Sequence, residues 1–235
     1  MKRHLLFHLW PVRETGVWRL RVEQLKRRWA MFDGVKAVSV VTGPETVSAC
    51  EVWDAIGDAS VVFRELPNDS SLREMLSWDW LWSQVDDQNG AAFYCHGKGT
   101  RFPLNETIGV HGWTDMMFTA ALDHWPLVER RLRQGAFAGS LRVCGGYPAS
   151  HFHYAGTFYW ARLDQVRGKF ADVERTWWGV EPWPGRHFDW RHAGLLFQPT
   201  GVGIHDFYCW TPQIRQQWAQ WQEIHRRLHR AFSSV

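Results

Sequence analysis

No apolar run in this 235-residue sequence approaches the roughly 20 residues that a membrane-spanning helix needs; Val61 to Phe63 and Ala91 to Cys95 are among the longest. Arg3, His4, His8, Arg13 and Glu14 break up the first 15 residues, so no signal peptide is expected. Cysteine is sparse. Cys50, Cys95, Cys144 and Cys209 stand singly, with no C-x-x-C pair for zinc and no dense spacing for a disulfide framework, which points to a reducing, cytoplasmic setting. Charge of one sign is also scarce: the net value is only +3, and the aromatic-basic interleaving of known nucleic-acid modules is missing, so nucleic acid is not expected as a partner.

What is present is enough apolar residue, 45% against 22% charged, to exclude a disordered chain and to bury one core, so residues 1–235 are expected to form a single domain. Tryptophan is abundant, 17 residues against 5 tyrosines. Such large amphipathic rings suit half-wet surfaces, including sugar-binding clefts and membrane interfaces, and equally suit a core. The basic residues collect near both ends, from Lys2 to Arg28 and from Arg215 to Arg230.

The pattern along the chain alternates. His4 to Trp10 reads as a strand and Gly16 to Met31 as a helix; Lys36 to Val41 is a second strand, followed by a short helix over Thr46 to Trp53. Ala59 to Leu66 is a third strand, ended by Pro67-Asn68-Asp69. The next helix carries Leu72, Met75, Leu76, Trp80 and Leu81, with Ser70 or Ser71 as cap and Glu74 closing a capping box. It breaks over Asp86 to Gly90, and Ala91 to Cys95 is a fourth strand running into His96-Gly97-Lys98-Gly99. This order predicts an α/β fold with a mainly parallel sheet flanked by helices, whose ligands meet the carboxyl ends of the strands. Later, Trp113 to Arg133 reads as a helix interrupted at Pro126, Ser140 to Cys144 and Gly156 to Ala161 as strands, and Pro212 to Phe232 as a final helix.

Four clusters carry candidate chemistry. In FYCHGKGTR, two glycines let the backbone approach a ligand while Lys98 offers a cation, as phosphates favour, or else they form an ordinary turn. In HFHYAGTFYWARLD, alternation places His151 and His153 on one side of an extended chain beside Gly156. In ERTWWGVEPWPGRH, Glu181 sits in a tryptophan-walled loop, either as a partly desolvated base or in a surface ion pair with Arg175 or Arg186. In GIHDFY, His205 and Asp206 are open to roles as ligand, hydrogen-bond partner or turn.

Together FHLWPVRETGVW, PNDSSLRE, FYCHGKG, HFHYAGTFYWAR and the later E-x-W resemble a family of bacterial and viral glycosyltransferase-like proteins, over about residues 4 to 210. That family's forms are close to N-x-x-L-x-E, Y-x-H-T-K-G and H-F-S-G-N-F-W-W-A. This chain differs in carrying extra residues at His153-Tyr154-Ala155 and Thr157-Phe158-Tyr159 in place of N-F-W.

The resemblance implies a GT-A-like (Rossmann-like) fold with a nucleotide-binding half over residues 1–100, an acceptor and catalytic half over 101–211, and a C-terminal helix over 212–235. It implies a glycosyltransferase moving a sugar from a nucleotide-diphosphate sugar to a glycan, lipid-linked or other hydroxyl acceptor; the alternative is a non-catalytic carbohydrate-binding protein of the same fold. Glu181 would be the general base and Lys98 the counter-charge to the leaving diphosphate. Trp10, Asn68, Asp69, His96, Gly97, Lys98 and Gly99 would bind the donor. His151, His153, Gly156, Trp177, Trp178, Trp183 and Asp206 would meet the acceptor or sugar. Glu74 is assigned to helix capping. Where the fold usually carries an Asp-x-Asp for Mn or Mg, this chain has His96-Gly97-Lys98; Asp86-Asp87 precedes the strand, and a metal would fall to His96 and His205. The final helix, with Trp218, Trp221, Arg226, Arg227 and Arg230, is placed either on the core or against the inner face of an anionic membrane.

Overall fold

The computed structural model describes residues 1–85, 89–104 and 108–233. In chain order the strands and helices are β1 (Arg3–Leu9), α1 (Val17–Lys26), β2 (Lys36–Thr42), α2 (Ala49–Ile56), β3 (Val62–Pro67), α3 (Met75–Ser83), β4 (Ala91–His96), α4 (Ile108–Leu122) and α5 (Trp125–Gln134). There follow β5 (Phe137–Gly139), β6 (Arg142–Val143), β7 (His153–Tyr154), β8 (Tyr159–Arg162), α6 (Leu163–Val166), α7 (Trp183–His187), β9 (Ala193–Leu195), α8 (Ile204–Cys209) and α9 (Pro212–Ser233).

A seven-stranded sheet runs in the order β3-β2-β1-β4-β8-β5-β9. Parallel pairing joins β3, β2, β1 and β4, with Leu5 opposite Lys36, Ala37 opposite Val62 and His8 opposite His96. Strand β8 alone runs against its neighbours, placing Tyr159 opposite Tyr94 on one side and Gly139 on the other. The expected mainly parallel sheet flanked by helices, in one domain, is therefore the observed fold. Because β8 is reversed, its amino end lies at the edge where the carboxyl ends of β1 to β4 emerge. Residues 155–158 are thus brought over the end of β4.

Both faces of the central strands are buried, which is why β1 and β4 read as nearly unbroken apolar runs. On β1, Leu5, Phe7 and Leu9 face one core with Trp18, Val22 and the inner side of α4, while Leu6 faces the other with Trp78, Trp82 and Trp183. Seven of the 17 tryptophans, Trp18, Trp78, Trp82, Trp113, Trp160, Trp183 and Trp218, are buried, Trp177 and Trp190 are exposed, and the rest are half-buried.

Several boundaries differ from the sequence expectation, for local reasons. The interruption expected at Pro126 is present but falls slightly earlier: the chain breaks at Asp123-His124, and Pro126 sits in the first turn of α5, where a missing N–H costs nothing. The expected strand over Ser140 to Cys144 is split because Leu141 adopts a left-handed φ of 58°, which ends β5 and starts β6. Helix α3 begins only at Met75, after a turn in which Arg73 has φ 48°, so neither Ser70 nor Ser71 caps it. Helix α9 packs Ile214 and Trp218 into the core, the Trp218 ring 5.0 Å from Phe197, and the Trp221 indole donates to the Leu196 carbonyl at 2.8 Å. Among the described residues no helix is long and apolar enough to cross a membrane. The four cysteines are all free.

The least expected core residue is Arg21 of α1, with no exposed surface. Its Nε donates to the Lys98 carbonyl at 2.8 Å and one terminal nitrogen to Gln24 Oε1 at 2.8 Å. The other terminal nitrogen meets His111 Nδ1 at 2.6 Å. Gln24 passes the connection to Asp115 at 3.1 Å. Burial lowers the Arg21 pKa to about 10, opposed by the Asp115 charge. Replacing Arg21 with Met should leave Gln24, His111 and the Lys98 carbonyl short of a donor and lower stability by about 3 kcal/mol or more. Urea denaturation checks this; a midpoint equal to that of the parent would show that the network carries no stability.

Candidate active site

The carboxyl ends of β1, β2 and β3 meet at Glu45. Its Oε1 accepts from the Trp10 indole at 3.1 Å and from Asn68 Nδ2 at 3.0 Å, so two of the expected donor-binding residues are brought together by a carboxylate that sequence reasoning passed over. Asp69 is a different case. Its Oδ1 accepts from the backbone N–H of Ser71 at 2.9 Å and the Ser71 hydroxyl at 2.6 Å, bonds that lower its pKa, so it secures a turn.

At the end of β4, Gly97 donates its N–H to the His8 carbonyl at 2.8 Å, tying the loop to β1. Gly99 has φ 80°, and a Cβ there would sit 2.8 Å from Val110, so only glycine closes this turn. The half-buried Lys98 ammonium lies 4.1 Å from the centre of the Trp113 ring. Burial lowers its pKa, while the Glu181 and Glu74 carboxylates, within electrostatic reach, pull it back up.

Glu74, expected to cap a helix, instead turns toward His96: the imidazole Nδ1 stands 3.0 Å from Glu74 Oε1. On the other side His96 Nε2 stands 3.0 Å from the Gly156 carbonyl. Both partners are acceptors. Burial first, then the Lys98 ammonium, lowers the His96 pKa to about 3, so at neutral pH the ring carries one proton and can donate to one of them. On the same face of the sheet, His8 Nδ1 meets the Ser77 hydroxyl at 2.6 Å, and burial lowers its pKa to about 4.

The Gly156 N–H donates to Glu181 Oε1 at 3.2 Å, and the Tyr147 hydroxyl donates to Glu181 Oε2 at 2.8 Å. Burial and the Glu181 charge raise the Tyr147 pKa, so the phenol keeps its proton. A continuous line of contacts therefore runs Glu74, His96, Gly156, Glu181, Tyr147. Gly156 has φ 93°, and a Cβ there would lie 2.9 Å from Met117 Sδ. Thr157 follows with φ 59°, a left-handed conformation that a β-branched residue rarely adopts and Asn tolerates; the resembled family's motif has Asn at this place.

The surface-pair reading of Glu181 is overturned, because Arg175 pairs with Asp79 at 2.7 Å and Arg186 with Glu174. His153 is buried with its ring 4.9 Å from Tyr147, whereas His151 is exposed in the bend before β7, so the two do not share a side as alternation suggested. Trp183 is fully buried, its indole donating to the Lys169 carbonyl at 3.0 Å, and offers no stacking face. Trp177 is exposed, with the Arg73 guanidinium 4.4 Å from its ring centre, and Trp178 packs edge-on against it at 5.3 Å. Asp206 accepts from the Gly203 N–H at 2.7 Å and so caps α8.

His205 is exposed on α8. Among the described residues no three His, Cys, Asp or Glu side chains cluster as metal ligands, and Asp86-Asp87 lies outside them. A divalent cation fits poorly beside His96: both ring nitrogens already face protein oxygens, and the neighbouring group is the Lys98 ammonium. Sequence reasoning also missed Tyr147. Its signal is an aromatic set among turn residues in Gly145-Gly146-Tyr147-Pro148.

No protein-family model matches the chain, and no curated protein does. Among solved structures it is similar to 4-diphosphocytidyl-2C-methyl-D-erythritol synthase from Anaerococcus prevotii, at 8% identity, covering 73% of this chain and 76% of that one with a TM-score of 0.40. It is also similar to another 4-diphosphocytidyl-2C-methyl-D-erythritol synthase at 14% identity, covering 91% and 98% with a TM-score of 0.43. At these values the likeness says nothing of the chemistry at Lys98 and Glu181.

Neutral burial of His8 and His96 sets a pH dependence. Both folded pKa values lie below the ordinary imidazole value of about 6.5, so between that value and about 4 the unfolded chain binds protons that the folded one refuses. Their contribution is full above pH 6.5 and is lost as pH falls, by up to about 1.4 kcal/mol per group per pH unit. Urea titrations from pH 7 downward should show this slope, shallower in His8→Gln; an equal slope in the variant would contradict neutral burial of His8.

Proposed function

We propose that this protein is a glycosyltransferase that moves a sugar from a nucleotide-diphosphate sugar to a hydroxyl group of a glycan or lipid-linked acceptor. The observation that carries the reading is the pairing at one strand end of a glycine-flanked cation, Lys98, with a carboxylate, Glu181, fixed by two donors and within electrostatic reach of it. The motif resemblance supports the same assignment. In this reading the nucleotide lies across the ends of β1 to β4, beside Trp10 and Asn68 around Glu45, and its diphosphate meets the Lys98 ammonium.

Transfer requires a proton to leave the acceptor hydroxyl and negative charge to develop on the departing diphosphate. Glu181 takes the proton as the acceptor oxygen bonds to the anomeric carbon. Tyr147 and the Gly156 N–H hold one carboxylate oxygen each, so the base does not have to reorganise during the step. The bond from the anomeric carbon to the diphosphate oxygen breaks, and the Lys98 ammonium, in partly desolvated surroundings, stabilises that oxygen. No step is routed through a metal ion, given the poor fit described above. His96 acts by position: it bridges the Glu74 and Gly156 supports of the cluster. The exposed Trp177 and the neighbouring Trp178 offer ring faces to an acceptor sugar.

One feature favours the alternative of a carbohydrate-binding protein without turnover: both Glu181 oxygens already accept hydrogen bonds. Kinetics with nucleotide-sugar donors separate the two. Glu181→Gln should lower kcat about 10² to 10⁴-fold with donor affinity within a few-fold, while Lys98→Ala should weaken nucleoside-diphosphate binding by about 1.5 to 3 kcal/mol. A parent protein that neither transfers nor hydrolyses any donor would give the alternative; unchanged diphosphate affinity in Lys98→Ala would remove the role of Lys98.

A further inference from the structure

Strand β9 lies at the edge of the sheet, three strands from β4, or roughly 14 Å at usual strand spacing. The carbonyls of Ala193 and Leu195 are taken by guanidinium groups, while that of Gly194 accepts from the Tyr154 hydroxyl at 2.9 Å. Arg131 Nε donates to the Leu195 carbonyl at 2.9 Å, and an Arg142 terminal nitrogen donates to the carbonyls of Ala193 at 3.0 Å and Trp190 at 3.2 Å. These bonds protect the edge and also fix two cations beside each other along β9.

Both arginines line a cavity of about 220 Å³, whose wall also includes Trp190, Arg191, Gln134 and the backbone of β9. Arg191 is paired to Asp189 at 2.6 Å, but among the described residues neither Arg131 nor Arg142 has a carboxylate partner. Each bonds only neutral carbonyl oxygens and retains guanidinium N–H groups for a further acceptor. Trp190 is 56% exposed, with the Arg142 guanidinium 5.9 Å from its ring centre. An exposed indole beside two half-buried, uncompensated guanidinium groups is an arrangement with two complements: an anion that accepts from planar N–H forks, and a ring that stacks.

We propose that this pocket binds a phosphorylated ring compound, its phosphate held by Arg131 and Arg142 and its ring laid against Trp190. The volume is about seven waters at roughly 30 Å³ each, enough for a phosphate and part of the ring, the remainder resting on the exposed indole. Two sources share this chemistry, a sugar phosphate and a nucleotide. The site does not depend on the transferase reading, since none of its residues belongs to the Lys98 and Glu181 cluster.

The test is an NMR titration of the protein with inorganic phosphate, a hexose monophosphate and a nucleoside monophosphate at constant ionic strength, following the Trp190 indole resonance, assigned by its loss in Trp190→Phe. The proposal expects a saturable shift of that resonance, with one or both ring compounds at least about tenfold tighter than inorganic phosphate; whichever binds better identifies the source. Arg131→Gln and Arg142→Gln should each weaken binding about tenfold or more. Because those arginines also brace β9, Trp190→Ala supplies an independent check on an exposed position: it should bring the ring compounds to the level of inorganic phosphate, read calorimetrically. Repeating the titration in Lys98→Ala should leave the Trp190 shift unchanged. Absence of a saturable shift at millimolar ligand, or affinity that survives replacement of both arginines, would overturn the proposal.

Discussion

The buried guanidinium of Arg21 is the constraint on which the site depends. A charged group without solvent access is costly unless its hydrogen bonds are met, and here the partners come from three parts of the chain: its own helix through Gln24, α4 through His111, and the loop after β4 through the Lys98 carbonyl. The last bond matters most for function. With its carbonyl held by Arg21, Lys98 has a fixed backbone, and its ammonium lies over Trp113 within reach of two carboxylates. Thr15 holds the same loop from the other end through the Thr100 carbonyl.

From that loop the structure propagates through backbone as much as side chains. His96 and Glu181 do not touch; both use Gly156, one its carbonyl and the other its N–H. The left-handed conformations at Gly156 and Thr157 make this double use possible, and reversed β8 delivers the segment to the end of β4. His96 stands between two acceptors with one proton at neutral pH.

The first four strands and their parallel type were legible because central parallel strands are apolar on both faces and end in turn residues: Pro67-Asn68-Asp69 and Gly97-Lys98-Gly99 stand where β3 and β4 stop, whereas the order in the sheet, the reversal of β8 and the short β5 and β9 were not. Lys98 and Glu181 stood out for a related reason, as charged residues among glycine, proline and aromatic neighbours, and the fold brings them within electrostatic reach of each other. What local pattern could not give was partner choice. Ser71 and Glu74 have the spacing of a capping box, yet the turn at Arg73 delays α3 and frees Glu74 for a histidine 22 positions later. Trp177, Trp178 and Trp183 look alike in sequence, but only the start of α7 drives Trp183 into the core against Trp78, Phe137 and Phe170. Tyr147, Glu45 and Arg21 were missed because each reaches at least one partner more than 30 positions away, Glu181, Trp10 and Lys98 in turn, beyond any periodicity.

Binding of a nucleoside diphosphate at the carboxyl ends of β1 to β4 is the property on which the proposed function rests. The most direct measurement is backbone amide NMR mapping of the unmodified protein with a panel of nucleoside diphosphates. One member should perturb saturably the amides of Gly97, Lys98 and Gly99 together with the Trp10 and Asn68 side-chain N–H signals, which share Glu45. No saturable change with any member, or changes confined to the β9 edge, would contradict it.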